Sequence, residues 1–357
     1  MVIQRAVERC EMVITTGGIG PTRDDLTREA VARAAGVELE FRQDLMDQVA
    51  EVFERNGFHM PENNRLQAFV PSGSQGIRNS VGTAPGFIKK VDGKPVICLP
   101  GVPRELKYLM ERQVIPLLRE MFNLKDRKVT YRVLNAVGLS ESRLDSLIGD
   151  LIKPGENPEV GLLASQGEIK IRISVGEKTD REARLLMGPV EEEIRSRLGI
   201  KIYGEGGETL EGVIDSLLGG FGLTLAILET YSGGLAARRF HELGSSRLLE
   251  SRVISDKKRL VKWLDRGDLE TFDGEIALEL ARKIKDECAS EVGLSILGFP
   301  VKNQKEYSLK YYAAVLGAGI EAEISREMSG DIPMLMQRGI ITSLDALRLE
   351  LLDRSGG

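Results

Sequence analysis

Histidine and cysteine are scarce in this chain, and long uncharged runs are missing altogether. The 357 residues include two histidines, His59 and His241, and three cysteines, Cys10, Cys98 and Cys288. Two histidines so far apart argue against histidine-based metal or triad chemistry. An odd number of scattered cysteines fits reduced, mostly buried thiols in a cytosolic protein, not a disulfide framework. None lies in a C-x-x-C pair, which argues against a thiolate zinc site; haem and flavin are not expected either. No uncharged run approaches the ~18 residues needed to span a bilayer. The opening MVIQRAVERC reads as a charged helix without the apolar stretch of a signal peptide. A cytoplasmic protein with no membrane partner is expected. The net charge of −5 argues against a protein whose main task is gripping nucleic acid. Short repeats and low-complexity tracts are absent.

What is present is a globular balance, 42% hydrophobic and 29% charged, at a length that suits two or three domains. Residues 1–122 read as alternating α/β in layers. Helices are expected near 3–10, 25–35, 43–56 and 104–121, with strands near 12–15 and 95–99. The charged run 124–128 reads as a linker. Residues 128–205 change rhythm to a small α+β unit: a strand at 129–136, a helix at 141–151 capped by Ser140, and a hairpin around Ser165-Gln166-Gly167. A long helix at 180–198 ends it at Gly199. Residues 208–357 read as a third, α/β unit, with a strand at 224–228 entering Ser232-Gly233-Gly234 and a closing helix over 332–352.

The richest segment runs from Val13 to Asp25, VITTGGIGPTRDD. An apolar strand enters a glycine-rich turn, two carboxylates follow, and then a helical pattern begins. Gly17, Gly18 and Gly20 let the backbone approach an anion, and a helix N-terminus offers free N–H groups. Thr15, Thr16 and Thr22 add hydroxyls, with Pro21 stiffening the turn. Asp24 and Asp25 repel a bare phosphate, so beside one they suit a divalent cation of the Mg, Mn or Ca type. The plain alternative is a helix from about Asp25 to Ala35, capped by Thr22 or Asp24 and closed by Gly36. Two further turns fit a phosphorylated ligand: Gly82-Thr83-Ala84-Pro85-Gly86, and Pro100-Gly101-Val102-Pro103 with Pro103 opening a helix. Ordinary turn chemistry also explains both.

The first motif, together with ENNRLQA at 62–68, NSVGTAPGF at 79–87 and LPGVPRE at 99–105, resembles the CinA family of competence/damage-inducible proteins. The resemblance implies a MoaB/MogA-type, molybdopterin-binding α/β domain over 1–122. It implies a KH-like unit over 128–205 and a CinA carboxy-terminal domain over 208–357. In the family the first domain is associated with metal-dependent ADP-ribose pyrophosphatase activity, with Mg, Mn or Co as the metal. A diphosphate would lie against Gly17, Gly18 and Gly20, and Asp24 and Asp25 would act as metal ligands and catalytic carboxylates. Thr16, Pro21, Thr22, Gly82, Thr83, Pro85, Gly86, Pro100 and Gly101 would line the substrate. The resemblance further implies a homodimer and a nicotinamide mononucleotide deamidase, serving NAD recycling, in the third domain.

Two departures qualify the resemblance. Family members carry a first strand and a further turn ahead of this chain's opening helix, so the chain reads as truncated or as carrying a degenerate first domain. A sheet missing that strand should expose apolar surface and an open edge. In the third domain the family's nucleophilic serine falls on Thr230, within Glu229-Thr230-Tyr231-Ser232-Gly233-Gly234. The catalytic lysine falls on Arg259 unless the register slips to Lys257 or Lys258, and Phe299 replaces a glycine. Threonine restricts approach, and arginine is a poor general base, so this site is expected to be degenerate.

Four readings follow: a hydrolase acting on ADP-ribose, a non-catalytic scaffold binding a nucleotide or pterin, pterin work of the MoaB/MogA kind, and residual nicotinamide-nucleotide amidase activity in which Lys257 or Lys258 reaches Thr230. The KH-like unit has no Gly-x-x-Gly loop and no aromatic stacking row, which argues against RNA.

Overall fold

The computed structural model describes residues 2–123, 128–165, 167–177, 179–267, 269 and 271–356. Residues 124–127 of the expected linker, and Gln166 of the expected hairpin turn, lie outside the described residues. The chain divides into two units, Met1–Asp126 and Arg127–Gly357.

The first unit opens with α1 (Val2–Arg9), β1 (Val13–Thr16), α2 (Thr27–Ala35), β2 (Leu39–Phe41) and α3 (Gln43–Arg55). A 3-10 turn at Glu62–Ala68 leads to β3 (Phe69–Pro71), β4 (Gln75–Ile77), β5 (Gly86–Val91) and β6 (Lys94–Leu99). The last helix runs as α4 (Pro103–Leu109) and α5 (Ile115–Met121), joined by a π turn at Met110–Val114. Pro116 has no N–H to donate, and a widened turn is a common way for a helix to pass a proline. The main sheet has the order β1-β6-β5-β4, with β1 parallel to β6 and at the sheet edge. β2 pairs with β3 separately. Val96, Ile97, Cys98 and Leu99 are all fully buried. Val96 and Cys98 pack with Val31 and Phe87, while Ile97 and Leu99 pack with Leu109 and Val114. β6 is therefore covered on both faces, which is why it reads as a continuous apolar run. Burial pushes the Cys98 thiol up to about 12. The expectation of mostly buried thiols needs correction: Cys98 is buried, Cys288 is half-buried and Cys10, past the end of α1, is exposed.

The second unit begins with β7 (Lys128–Val137), α6 (Glu141–Ile148), β8 (Glu159–Ser165), β9 (Glu168–Glu177), α7 (Asp180–Leu198) and β10 (Ile202–Glu205). These strands form an antiparallel sheet of order β10-β7-β9-β8. Ser140 caps α6 by accepting from the Arg143 amide, and Thr179 caps α7 from Glu182. Gly199 ends α7 with φ +51.

It continues with α8 (Leu210–Phe221), β11 (Leu225–Glu229), α9 (Leu235–Leu243), β12 (Leu248–Val253), α10 (Lys257–Trp263) and α11 (Gly274–Cys288). Then come β13 (Val292–Gly298), β14 (Val301–Lys302), β15 (Tyr307–Gly317), β16 (Ile320–Gly330) and α12 (Ile332–Gly356). The sheet order is β12-β11-β13-β15, with β14 and β16 both pairing β15. β11 is parallel to β12 and β13, and every residue of β11 and β13 is buried. Leu225 and Ile227 join Phe240 and Leu344 on one face, and Ala226 and Leu228 join Leu280 and Ile284 on the other. This is a mixed α/β/α sandwich. α12 also ties the smaller sheet to it: buried Arg348 bonds Asp345 at 2.6 Å and donates to the Ile200 carbonyl at 2.8 Å. No helix among the described residues is long and apolar enough to cross a membrane.

Candidate functional site

Parallel pairing of Val13 with Val96 and of Thr16 with Leu99 brings the carboxyl ends of β1 and β6 side by side. The loops that follow leave from one edge, the usual position of ligand crevices in α/β sheets. The Gly17 amide donates to the Leu99 carbonyl at 2.9 Å. A Cβ on Gly101 would stand 3.3 Å from the Gly17 Cα, so the two glycine turns lie backbone against backbone. Gly17 and Gly18 have φ of +85 and +70, which L side chains rarely adopt.

The glycine loop is held from behind by α2. Thr27 Oγ1 donates to the Gly17 carbonyl at 2.9 Å, and the Thr27 amide donates to the Gly18 carbonyl at 2.9 Å. Buried Arg28 donates to the Ile19 carbonyl at 2.5 Å and the Gly20 carbonyl at 2.7 Å. Sequence reasoning missed Arg28. Its signal was a cation in the first turn of a helix, where the dipole disfavours it unless it has carbonyls to bind.

Neither Thr22 nor Asp24 caps α2, contrary to expectation. The helix starts at Thr27, with Leu26 in the cap position and no side-chain cap. Gly36 does close it, in the left-handed conformation. The Asp25 carboxylate instead folds back on the loop, accepting from the Thr22 amide at 2.8 Å and hydroxyl at 2.6 Å. Burial pulls the Asp25 carboxyl upward. The bonds from Thr22 and Gly20 and the charge of Arg28 outweigh that, so it sits below the ordinary carboxylate range. Asp24 and Thr16 are exposed.

The remaining sequence motifs converge on the same edge. Asn63 reaches the Pro21 carbonyl at 3.5 Å, the outer limit of a hydrogen bond. Asn79, fully buried, donates to the Ala84 carbonyl at 2.9 Å and to Glu105 Oε2 at 2.7 Å. Gln48 accepts from the Asn79 amide at 3.2 Å. The Glu105 carboxylate lies directly over Gly82, where a Cβ would come within 2.0 Å of it. Gly86 faces the Cys98 carbonyl, which a Cβ would approach to 2.8 Å. Gly82, Pro85, Gly86 and Pro100 are buried, and Thr83 is half-buried.

Two carboxylates, Asp24 and Asp25, stand on the glycine loop, and one oxygen of Asp25 is already committed to Thr22. No cluster of three or more His, Cys, Asp or Glu side chains able to hold a metal occurs among the described residues. The donor set therefore suits a divalent cation that shares its shell with substrate phosphates, as Mg²⁺ commonly does. It does not make a cage of protein ligands alone.

The second sequence-predicted site lies in the other unit. Thr230 is buried, and its hydroxyl donates to the Gly298 carbonyl at 2.7 Å and accepts from the Gly298 amide at 2.9 Å. A hydroxyl so held braces two strand ends. Glu229, wholly buried, accepts from the Ala236 amide at 3.1 Å, the Ala237 amide at 3.0 Å and the Ser232 hydroxyl. It thus serves the N-terminus of α9, with Gly233 and Gly234 at φ +66 and +88 making the turn. Lys257 Nζ lies 5.0 Å above the Phe299 ring and 5.8 Å from Phe272. The bulky replacement for a glycine therefore holds the lysine by cation–π attraction. Asp256 caps α10 through the Arg259 amide at 2.9 Å. Arg259 is exposed.

A family model for a probable molybdopterin binding domain matches residues 1–120, and one for the damage-inducible protein CinA KH domain matches 131–204. A CinA-like protein of Dictyoglomus turgidum is 34% identical, covering 98% of this chain and 87% of that protein. A putative competence-damage inducible protein of Alkaliphilus oremlandii is 33% identical over 99% of this chain and 87% of its own length. Among solved structures, the protein CinA with unknown function from Thermoplasma acidophilum is 36% identical. It covers 32% of this chain and 68% of its own, with a TM-score of 0.29.

Proposed function

This chain belongs to the CinA family, and from that premise we propose that its first unit binds a nucleotide diphosphate and hydrolyses it as a metal-dependent ADP-ribose pyrophosphatase. The observation that carries the reading is the backbone contact of Gly17 with Gly101 at the carboxyl ends of two parallel strands. Small residues there let the backbone come close to phosphate oxygens. Pterin binding of the MoaB/MogA kind would use the same crevice but has no need of Asp24 and Asp25.

In this reading Gly17, Gly18 and Gly20 receive the diphosphate, with Thr16 and Thr22 at its flank. Gly82, Thr83, Pro85, Gly86, Pro100 and Gly101 form the opposite wall. Asp24 and Asp25 would hold the Mg, Mn or Co ion. Bound there, the ion would neutralise phosphate charge and lower the pKa of water. Arg28 keeps the loop carbonyls turned away from the anion. The protein works as a cytoplasmic homodimer without membrane or nucleic-acid partners. The carboxy-terminal site is an inactive relative of a nicotinamide mononucleotide deamidase, which the double engagement of Thr230 by Gly298 supports.

The test is ADP-ribose hydrolysis with and without divalent metal, repeated with Asp24→Asn and Asp25→Asn. Metal-dependent formation of AMP and ribose phosphate, lost in either variant, is the expected result. Tight ADP-ribose binding with no turnover under any metal would reject the hydrolase and leave a nucleotide-binding scaffold.

A further inference from the structure

β12 is an outer strand of the carboxy-terminal sheet. β11 pairs it on one side, and among the described residues no strand pairs it on the other. Its outer row of backbone N–H and C=O groups is therefore a template for a further strand. A bulge at Leu249 lets Leu248 and Glu250 face Leu225 and Ala226 in turn, and Glu250 to Val253 then run in regular register beside β11. Bulges commonly blunt an edge, but this one sits at the start of the strand and leaves the rest regular. Leu249 is 50% exposed and Val253 44%, apolar side chains that a solvent-facing edge does not need.

Between them stand Glu250, Ser251 and Arg252. Arg252 donates to Glu250 Oε1 at 2.8 Å, pairs also with Glu287 on α11, and lies 5.1 Å from the centre of the Trp263 ring on α10. The Arg252 guanidinium and the Cys288 thiol hold the Glu250 carboxyl below the ordinary carboxylate range. Both partners are thus charged at neutral pH, and both side chains keep open surface, 46% for Glu250 and 30% for Arg252.

The order apolar, acid, serine, base, apolar is its own complement when read backwards. A strand that meets its own copy about a two-fold axis pairs antiparallel. Residues opposite one another share a face of the sheet, so the axis passes through a residue. Through Glu250 it would set two glutamates opposite, and through Arg252 two arginines; like charges directly opposite are destabilising. Through Ser251 it sets each Glu250 opposite Arg252 of the second copy and brings Leu249 beside Val253. The other edge of this sheet has no such register. β16 carries Glu321, Glu323 and Glu327, and an axis through Ala322, Ile324 or Ser325 sets glutamate opposite glutamate.

We propose that β12 is the edge through which two copies of this chain associate. The strands pair antiparallel about a two-fold axis at Ser251, joining the two carboxy-terminal sheets, with two glutamates and two arginines alternating at the centre. The inference rests on the homodimer reading and adds its surface and register. A dimer held elsewhere would keep that reading and reject this edge.

The full chain is followed by sedimentation equilibrium at micromolar concentrations. The natural chain is expected to dimerise. Glu250→Arg and Arg252→Glu should each weaken dimerisation at least about tenfold, since each turns two attractive cross-strand pairs into two repulsive ones. A mixture of the two variants should recover association as a heterodimer, because one copy then offers two arginines and the other two glutamates. Recovery separates the interface from folding: the pair within each variant chain stays broken, so a merely structural role gives no gain on mixing. A monomeric natural chain overturns the proposal and leaves the edge to a strand of another protein. A dimer unmoved by either substitution overturns it and puts the interface elsewhere. A mixture that stays monomeric overturns it as well.

Discussion

Asn79 Nδ2 lies 2.7 Å from Glu105 Oε2, and this one bond joins the loop at 79–86 to the first turn of α4. Asn79 is wholly buried and bonds Ala84 and Gln48 as well. Asn79→Ala should therefore destabilise the first unit by about 2–3 kcal/mol, because buried partners are left unsatisfied. Urea denaturation with unchanged slope is the measurement. A loss below the error of extrapolation would mean that the loop is held elsewhere.

Gly82→Ala tests the same joint from the other side. A Cβ there would run into the Glu105 carboxylate, so Glu105 must swing away and release Asn79. Weaker ADP-ribose binding is expected, with Glu105→Ala restoring room in the double variant. Unimpaired binding in Gly82→Ala would show that the loop does not touch the ligand.

Asp25 gives a pH dependence with a definite sign. Its carboxyl sits below the reference value of 3.8 in the folded chain. Its stabilising bond to Thr22 is therefore complete above that value and fades as pH falls through the lower folded pKa. The Tm difference between the natural chain and Asp25→Asn should be constant from pH 7 to 5 and shrink in more acidic buffer. A difference that grows on acidification would reverse the assignment.

Thr230 is predicted to be a brace rather than a nucleophile. Thr230→Val removes a hydroxyl that both donates to and accepts from Gly298, and should cost about 1–3 kcal/mol in urea denaturation. Thr230→Ser keeps the bonds and should release no ammonia from nicotinamide mononucleotide, alone or combined with Phe299→Gly. Ammonia release by the double variant would show that two substitutions are all that silence the site.

Arg348 and Asp345 are buried together, with 1% and 6% exposure. Removing one partner strands the other charge, which typically costs about 3–5 kcal/mol. Asp345→Ala should unfold the second unit at markedly lower urea, and Arg348→Met, which replaces the charge with apolar volume, should do less damage than Arg348→Ala.

Local signals carried much of the fold. Helix α7 was legible almost to the residue, because Gly199 is a stop signal that needs no distant partner. β11 and β13 were legible as largely apolar runs. β16 was not: IEAEISREMSG is rich in charge, and it forms a strand because β15 offers it a partner along its whole length. β2, β3 and β10 are three or four residues long, too short to show a period. In the first site, the glycines and carboxylates could be picked out because their backbone and charge are intrinsic. Arg28 and the Asn79–Glu105 bond could not, since each depends on what folding brings alongside.

The sequence by itself determined where the chain turns, which segments are apolar enough to be buried, and which residues could carry phosphate or metal chemistry. It also disclosed the family, through motifs whose order along the chain needs no coordinates. Only the tertiary structure decided what those residues are free to do. Asp25 spends one oxygen on Thr22, and Thr230 is consumed by Gly298. Hydrogen-bond satisfaction is a property of neighbours in space, and a list of residues cannot state it.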